Sequence, residues 1–233
     1  NDILVENRDI LGKLVKFYDS KENPAFVTIL MKNEGENLWR FTGVYYSLYG
    51  IKSYKGVPTS NIPHEVSLIG GPHGADIFVK KKMWNKIGGF DDSQPFNLDD
   101  FDIGARSYIM GYNNYLFTKS FVVHLGIENR VNTKMWNWKF KYYFIGYSKV
   151  MIKNYRLKNL ILRYPIFLLF CLLKTAKQAV LRVSPGTILS FFSSFFSLML
   201  ELPNILRKRK AVQSERVIKE DIFLRIRPPS NAI

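Results

Sequence analysis

Cysteine is nearly absent from this chain, and the common thiol and phosphate-binding motifs are missing altogether. Cys171 is the only cysteine among 233 residues, so the chain forms no internal disulfide and suits a reducing compartment. It contains no Cys-x-x-Cys pair, no P-loop and no Gly-x-Gly-x-x-Gly run. The sequence therefore predicts none of the thiol, P-loop or dinucleotide sites that these motifs build.

Acidic residues are scarce in the second half of the chain. Residues 1–129 contain 14 Lys/Arg and 15 Asp/Glu, whereas residues 130–233 contain 20 and 4, so the net charge of +15 arises in the second half. That half is also the more apolar one, and basic plus apolar character favours an anionic membrane surface as partner. A pI near 9.8 and interleaved aromatics allow a nucleic-acid binder as an alternative, but the apolar segments argue against it, and we predict no nucleic-acid partner.

The first half has the pattern of an α/β segment, and its 129 residues are predicted to form one unit. Hydrophobic residues make up 47% of the chain, which is enough for a core. Periodicity and breakers predict a helix over 7–19, a strand over 25–31, an irregular stretch over 33–64 apart from the aromatic run 41–49, a strand over 75–80, a helix over 81–87, a helix over 98–110 and a strand over 115–123.

Residues 130–212 are predicted to form a helical, amphipathic region at a membrane. Trp136 and Trp138 alternate with lysines, which is typical of an interfacial belt. Two uncharged apolar segments follow, over 164–173 and 187–200. The first segment is predicted to be too short to span a bilayer. The second would cover roughly 21 Å as a helix, against about 30 Å of hydrocarbon, and the sequence leaves open whether it spans, re-enters or lies flat on the membrane.

Residues 187–200 have two unlike faces if they are helical. Serines 190, 193, 194 and 197 share one face, while Phe192, Phe195 and Phe196 lie largely on the other. Such a helix lies in the interface or packs on a partner helix, and a buried helix of a soluble core is the alternative. The basic run Arg207-Lys208-Arg209-Lys210 then predicts a contact with anionic lipid, or simply a solvated helix end. Residues 213–233 are predicted to be a loosely ordered tail.

Three acidic residues open the helix predicted over 98–110. Asp99, Asp100 and Asp102 repel one another, which raises one pKa toward the range of a useful base. The alternative is that they cap the helix, where aspartate is common. His124, at the end of the last predicted strand, is by itself either a ligand or a structural hydrogen-bonding residue.

The order of these motifs resembles the rear half of family 2 glycosyltransferases of the GT-A type. The matching runs are, in order, Asn1-Asp2, Gly88-Gly89-Phe90-Asp91, Asp99-Asp100-Phe101-Asp102, Gly111-Tyr112 and His124-Leu125-Gly126. Asp99 stands where the family usually has Glu. The resemblance covers residues 1–126 and implies an incomplete GT-A-like, Rossmann-like catalytic half of an α/β fold.

The resemblance implies a role for each matching residue. Asp100 would be the general base that deprotonates the acceptor hydroxyl, and Asp99 would orient or tune it. Asp2 and His124 would bind Mn²⁺ or Mg²⁺ at the donor diphosphate. Further substrate contacts are predicted at Gly71, Asp76, Gly88, Gly89 and Asp102.

The implied reaction is inverting sugar transfer from a UDP-, GDP- or dTDP-sugar to a glycan or lipid-linked hydroxyl, at the cytoplasmic face of a membrane. The resemblance also implies a nucleotide-binding front that this sequence does not show, so we expect the fragment alone to be inactive, with that front in the same protein or on a separate chain. The alternative is a non-catalytic membrane-surface or scaffold protein, or a decayed remnant of such an enzyme.

Overall fold

The computed structural model describes residues 3–41, 43–53, 57–58, 68–94, 98–125, 133–181, 184 and 186–227. The strands are β1 (Ile3–Leu4), β2 (Pro24–Asn33), β3 (Leu38–Phe41), β4 (Val44–Ser47), β5 (Gly50–Ser53), β6 (Val57–Pro58), β7 (Ile77–Phe78) and β8 (Asn113–His124). The helices are α1 (Ile10–Asp19), α2 (Lys81–Ile87), α3 (Asp99–Ile109), α4 (Thr133–Asn154), α5 (Leu157–Leu181) and α6 (Gly186–Ser214), followed by a short 3₁₀ helix (Ile222–Leu224).

A mixed sheet built around β2 forms the first half. β2 pairs in parallel with β8, and β1 lies antiparallel on the far side of β8. On its other edge β2 pairs with β7 at Val27 and Thr28 and with β3 at Met31 and Lys32. β6 extends the sheet beyond β3, while β4 and β5 form a separate hairpin.

Successive side chains of β2 point to opposite faces of the sheet, and both faces are buried. Val27, Ile29 and Met31 pack against α1, whose buried Ile10, Leu14 and Tyr18 recur every four residues. Phe26 and Leu30 point to the opposite face, where they join apolar residues of α2, α3 and the β4 strand. The prediction of an α/β segment is confirmed at this level, because helices cover both faces of a mixed sheet.

One continuous core joins the two halves of the chain. Tyr46 of β4 and Phe101 of α3 belong to the same buried cluster as Phe144 of α4, Phe167 of α5 and Leu198 of α6. The predicted boundary between residues 129 and 130 therefore separates two stretches of sequence but not two cores.

The predicted loose tail is wrong over its described part. Phe223 and Leu224 are buried in the same core, and the Phe223 ring packs on Tyr46 at 4.9 Å. The Asp221 carboxylate accepts hydrogen bonds from the Arg156 amide at 2.8 Å and from Asn159 at 2.7 Å. Two apolar side chains and one acid thus fix residues 221–224, which composition alone did not indicate.

The elements differ from the sequence predictions in three places. Strands β3, β4 and β5 form within the stretch 33–64, which the sequence predicts to be irregular apart from the aromatic run 41–49. The strand predicted over 75–80 is reduced to Ile77 and Phe78. The two apolar segments lie within the longer helices α5 and α6, which continue through Pro165 and Pro203.

Those two helices are long and apolar enough to cross a membrane, judged by length and composition. The 164–173 segment, predicted to be too short to span, lies within a helix that is long enough, because α5 continues through neighbouring residues that the count of uncharged positions left out. Length permits a span but does not require one.

Candidate active site

Asp100 is held at the start of α3 by two backbone amides. Its carboxylate accepts hydrogen bonds from the Gly74 amide at 3.0 Å and from the Phe101 amide at 2.8 Å, and the residue is 7% exposed. Leu98 occupies the N-cap position and makes no side-chain cap bond. The capping alternative thus explains only the bond to Phe101, while the other carboxylate oxygen faces the loop of residues 70–76.

The 70–76 loop carries a second buried acid, Asp76. Its carboxylate accepts hydrogen bonds from the Ile29 amide at 3.0 Å and from the Thr28 hydroxyl at 3.4 Å. The same hydroxyl accepts a hydrogen bond from the His73 amide at 2.8 Å. These bonds fix the loop to the middle of β2 and place Gly74 against Asp100.

Burial raises the pKa of both acids. Desolvation, and then the charge of Asp99, raise the pKa of Asp100 to about 7 in spite of its two amide bonds. Desolvation raises the pKa of Asp76 to about 8, with a smaller contribution from Asp100, while the bonds from Ile29 and Thr28 oppose the rise. Carboxyl groups with such pKa values exchange protons near neutral pH, which is what general acid–base chemistry requires.

Glycines let the 70–76 loop approach α3 closely. A Cβ on Gly104 would lie 2.5 Å from the Gly71 Cα and 2.9 Å from the Gly70 carbonyl oxygen. Gly71, a predicted substrate contact, is buried at this crossing. Its position is therefore explained by packing, and contact with substrate stays a prediction.

Asp102 lies in a buried ion cluster, which comprises Asp91, Asp102, Arg106, Lys153 and Lys208. Asp102 is fully buried and lies 2.9 Å from the Arg106 Nε and 2.9 Å from the Lys153 Nζ. Burial acts to raise the pKa of Asp102, but the two cations outweigh it and the net pKa is lowered. The fully buried carboxylate of Asp102 therefore joins α3 to α4, and contact with substrate at this residue stays a prediction.

Gly88 and Gly89 end α2 with a turn. Both have positive φ, +83° and +61°, which suits glycine. Arg106 of the ion cluster donates hydrogen bonds to the carbonyls of Ile87 and Gly89. The Gly-Gly-Phe-Asp run therefore places Asp91 beside Lys153 and Lys208, and substrate contact at the two glycines stays a prediction.

The described residues do not assemble a metal site. His124 lies opposite Asn33 in the β2–β8 register, five residues beyond Thr28, which is about 16 Å along the strand. Asp2 lies outside the described residues. Within the described part of the chain, no three His, Cys, Asp or Glu side chains cluster as metal ligands, so Mn²⁺ or Mg²⁺ binding stays a prediction.

The predicted membrane contacts divide into two groups. Phe192 and Phe196 are 58% and 65% exposed, and Phe195 and Trp138 are also exposed. In contrast, Trp136 stacks on Phe140 at 4.8 Å and packs against the core.

The basic tetrad divides in the same way. Lys208 pairs with Asp91 and Asp92, and Arg209 donates to the Ile152 and Tyr155 carbonyls. These contacts within the protein correct the prediction that all four side chains meet lipid. Arg207 bonds only within its own helix, to Asn204, and Lys210 is exposed.

Sequence reasoning missed the partners that hold the acids in place. The sequence alone assigned no role to Thr28, Arg106 or Lys153. A basic residue four positions after Asp102 was the one available sign of the ion cluster, because such pairs meet on a helix. Nothing local indicated that Lys153, 51 positions further along the chain, would be buried against the same acid.

No protein-family model matches the chain, and a search of curated proteins finds no significant match. The functional argument therefore depends on the residues and their geometry.

Proposed function

We propose that this chain forms the acceptor-side part of an inverting glycosyltransferase, with Asp100 as general base. The observation that supports the proposal is the placement of Asp100. It is a buried carboxylate at a helix N-terminus, fixed by the Gly74 amide, with a pKa of about 7. It also occupies the position at which the ordered motifs of the sequence predict a base.

The proposed reaction is a single displacement. The ionised Asp100 carboxylate takes the proton of an acceptor hydroxyl while the hydroxyl oxygen forms a bond to the anomeric carbon. The bond from that carbon to the donor phosphate breaks, and the nucleoside diphosphate leaves with the electron pair. One displacement inverts the anomeric configuration.

Asp76 and Asp99 support the base without touching the transferred sugar in this proposal. Asp76 fixes the 70–76 loop whose Gly74 amide points at Asp100. Asp99, adjacent in sequence, raises the pKa of Asp100 by its charge. A bound Mn²⁺ or Mg²⁺ would supply charge stabilisation for the leaving diphosphate, but the described residues build no site for it, and no step here depends on it.

We further propose that the protein works at the cytoplasmic face of a membrane on a glycan or lipid-linked acceptor. Two helices of suitable length and composition support the membrane part. The single, buried cysteine supports a reducing compartment. The nucleotide-sugar donor remains open among UDP-, GDP- and dTDP-sugars.

Asp100→Asn tests the catalytic assignment. Membranes from cells producing the complete protein are incubated with radiolabelled UDP-glucose, UDP-galactose, GDP-mannose or dTDP-rhamnose, and label in extracted lipid and polymer is counted. We expect Asp100→Asn to lower transfer by about 10²-fold or more, because the general base is lost. Asp9→Asn, at an exposed acid that immediately precedes α1, should leave transfer unchanged, and normal turnover in Asp100→Asn would refute the assignment.

A non-catalytic membrane-surface protein is the second candidate, favoured by the apolar area that α5 and α6 expose. It predicts membrane binding without transfer from any of the four donors. Equal, zero incorporation by wild type and Asp100→Asn, in membranes that contain the protein, would select this candidate.

A further inference from the structure

The outward faces of α5 and α6 are both apolar. On α5 the exposed side chains include Ile161, Leu162, Leu169 and Leu173, and on α6 they include Leu189, Phe192, Phe196 and Leu200. We name these eight residues the apolar face. Monomeric soluble proteins seldom leave so many large apolar side chains together in water.

The inward faces of the same helices are narrow stripes that pack on the protein. Phe167, Cys171 and Thr175 of α5 are buried at a spacing of four residues. Phe191, Ser194 and Leu198 of α6 are buried at spacings of three and four. Each helix therefore has one side for the core and one side without a protein partner among the described residues.

α6 runs alongside α4 for most of its length. The Phe144 ring lies 5.1 Å from that of Phe191 and 6.5 Å from that of Phe195. Further on, Lys149 pairs with Glu201. Later residues of α4 contact later residues of α6, so the two helices pack side by side. If α6 crossed a bilayer, α4 would therefore have to cross it as well.

α4 is unsuited to a bilayer interior. It carries Lys139, Lys141 and Lys149, and of the described helices only α5 and α6 have the length and composition for a span. A lysine at the bilayer centre costs about 3 kcal/mol or more. Crossing would therefore bury several charges, whereas lying on the surface buries none of them.

Charge along α5 leads to the same orientation. Arg163 and Lys174 are eleven residues apart, about 16 Å in a helix, so a perpendicular α5 would place at least one of them inside hydrocarbon about 30 Å thick. Around the helix, Lys177 lies roughly 100° from the centre of the apolar face, and Arg163 and Lys174 lie roughly 140° to 160° from it. Lys177 at the edge of that face, and Lys158 at its N-terminal end, are the basic residues that anionic headgroups would meet.

We propose that α5 and α6 lie in the plane of a membrane, with the apolar face in one leaflet and the flanking basic residues against anionic headgroups. This deepens the proposed function, since it rests on the proposed membrane association, and it keeps the Asp100 site on the same side as the helix junction. The occupant of the apolar face is an anionic lipid leaflet. An α-helix with one apolar side and a basic flank is the form that binds such a surface.

Vesicle flotation tests the surface. The complete protein is mixed with vesicles of phosphatidylcholine containing about 30% phosphatidylglycerol, and bound protein is measured. Leu169→Glu/Phe196→Glu should weaken binding by about tenfold or more, because two exposed apolar groups no longer enter hydrocarbon. Leu11→Glu, an equally exposed leucine on α1, is the matched control and should bind like wild type.

Cysteine labelling tests the orientation. Cys171 is buried, so new cysteines at Ser184, beside the α5–α6 junction, and at Asp9, on the body, can be compared in sealed membranes with an impermeant maleimide. We expect both to react from the same side. Reaction of Ser184→Cys from the opposite side would overturn the in-plane arrangement in favour of a span.

Two other results would overturn the proposal. One is flotation of the double glutamate variant equal to that of Leu11→Glu. The other is a wild-type protein that does not bind vesicles but forms a dimer in solution, with the double glutamate variant remaining monomeric. That result would mean that a second copy of the chain covers the apolar face. Neither readout uses sugar transfer, and Asp100→Asn should float like wild type, so failure here is distinct from failure of the catalytic assignment.

Discussion

At the scale of single residues, Asp76, Asp100 and Asp102 all have buried carboxyl groups, but the pKa is raised in the first two and lowered in Asp102. Asp102 is enclosed with Lys153 and Arg106 and stays ionised. Asp76 and Asp100 are enclosed with backbone amides and a hydroxyl, which bind a carboxylate without neutralising it. The kind of partner, more than the depth, therefore separates acids that exchange protons near neutral pH from an acid that only holds helices together.

Asp76→Asn should change how stability depends on pH. The pKa of Asp76 in the folded protein, about 8, is above its value in the unfolded chain, about 4. The folded form therefore binds the proton more tightly, and the stability that Asp76 contributes at low pH is lost as pH rises from about 4 to about 8. Removing the acid removes this loss, which should be on the order of a few kcal/mol.

The measurement is chemical unfolding of detergent-solubilised wild type and variant between pH 5 and pH 8.5. The wild type should lose stability relative to Asp76→Asn as pH rises, even if asparagine lowers stability at pH 5. Asp9→Asn, an exposed carboxylate, should keep a constant offset from wild type. Parallel curves for wild type and Asp76→Asn would show that Asp76 is not a buried acid with a raised pKa.

Residue-scale prediction succeeded where chemistry is local in sequence and failed where it depends on distant partners. Three acids at a helix start indicated a raised pKa, and Asp100 has one. The acidic run by itself did not single out one acid, and only the family resemblance pointed to Asp100, because Gly74 and Thr28 set the surroundings of Asp100 and Asp76 from distant segments. Asp102, in the same run, is instead enclosed by Lys153, about 50 positions later.

At the scale of elements, the crossing of α3 with the 70–76 loop determines where Asp100 lies. Gly104 faces Gly71 with no room for a side chain, and the Tyr46 hydroxyl donates a hydrogen bond to the Phe101 carbonyl. The Asn114 side chain bonds the Gly104 carbonyl at 3.2 Å from the strand below. Displacing this crossing would move the Gly74 amide away from the carboxylate.

Gly104→Ala should therefore destabilise the fold. The new Cβ would lie 2.5 Å from the Gly71 Cα, and backbone on the other side cannot rotate away, so we expect a loss of about 1–3 kcal/mol. Gly12→Ala on α1 is the matched control, since a Cβ there meets nothing within 4 Å and alanine favours helix by about 1 kcal/mol. Thermal unfolding of both variants provides the comparison, and a Gly104→Ala protein as stable as wild type would refute the close crossing.

Element prediction followed the strength of each pattern. The helix predicted over 81–87 agrees with Lys81–Ile87, because Gly88 adopts the left-handed conformation that commonly ends a helix. Long buried strands were found to within a few residues. The short strands between 38 and 58 were missed, because pairs of two to four residues depend on neighbouring strands and leave no period of their own.

At the scale of the whole molecule, the uneven charge and the apolar helices have one explanation. The basic second half does not form a separate anchor, since α4, α5 and α6 share a core with α3 and β4. Lys208 on α6 pairs with Asp91 within the ion cluster that joins α3 to α4. In our account the surface that meets lipid and the helix that carries Asp100 are therefore parts of one rigid packing unit.

The sequence predicted membrane association from composition, but it could not decide how the helices meet the membrane. That choice depends on which face α4 covers, and helical period alone leaves the covered face open. The contacts of Phe191 and Phe195 with Phe144 supply the missing information. Similarly, the sequence did not show that Phe223 and Leu224 would be buried, because the residues that enclose them come from distant segments.

The most direct measurement is the rate of sugar transfer against pH, in membranes that contain the complete protein, with whichever of the four nucleotide-sugars labels product. A base acts only when ionised, so our account predicts a rate that falls as pH is lowered through about 7, the pKa of Asp100. The rate should level off above that pH. A rate that stays constant from pH 5.5 to pH 8.5 would contradict the assignment of Asp100 as the general base.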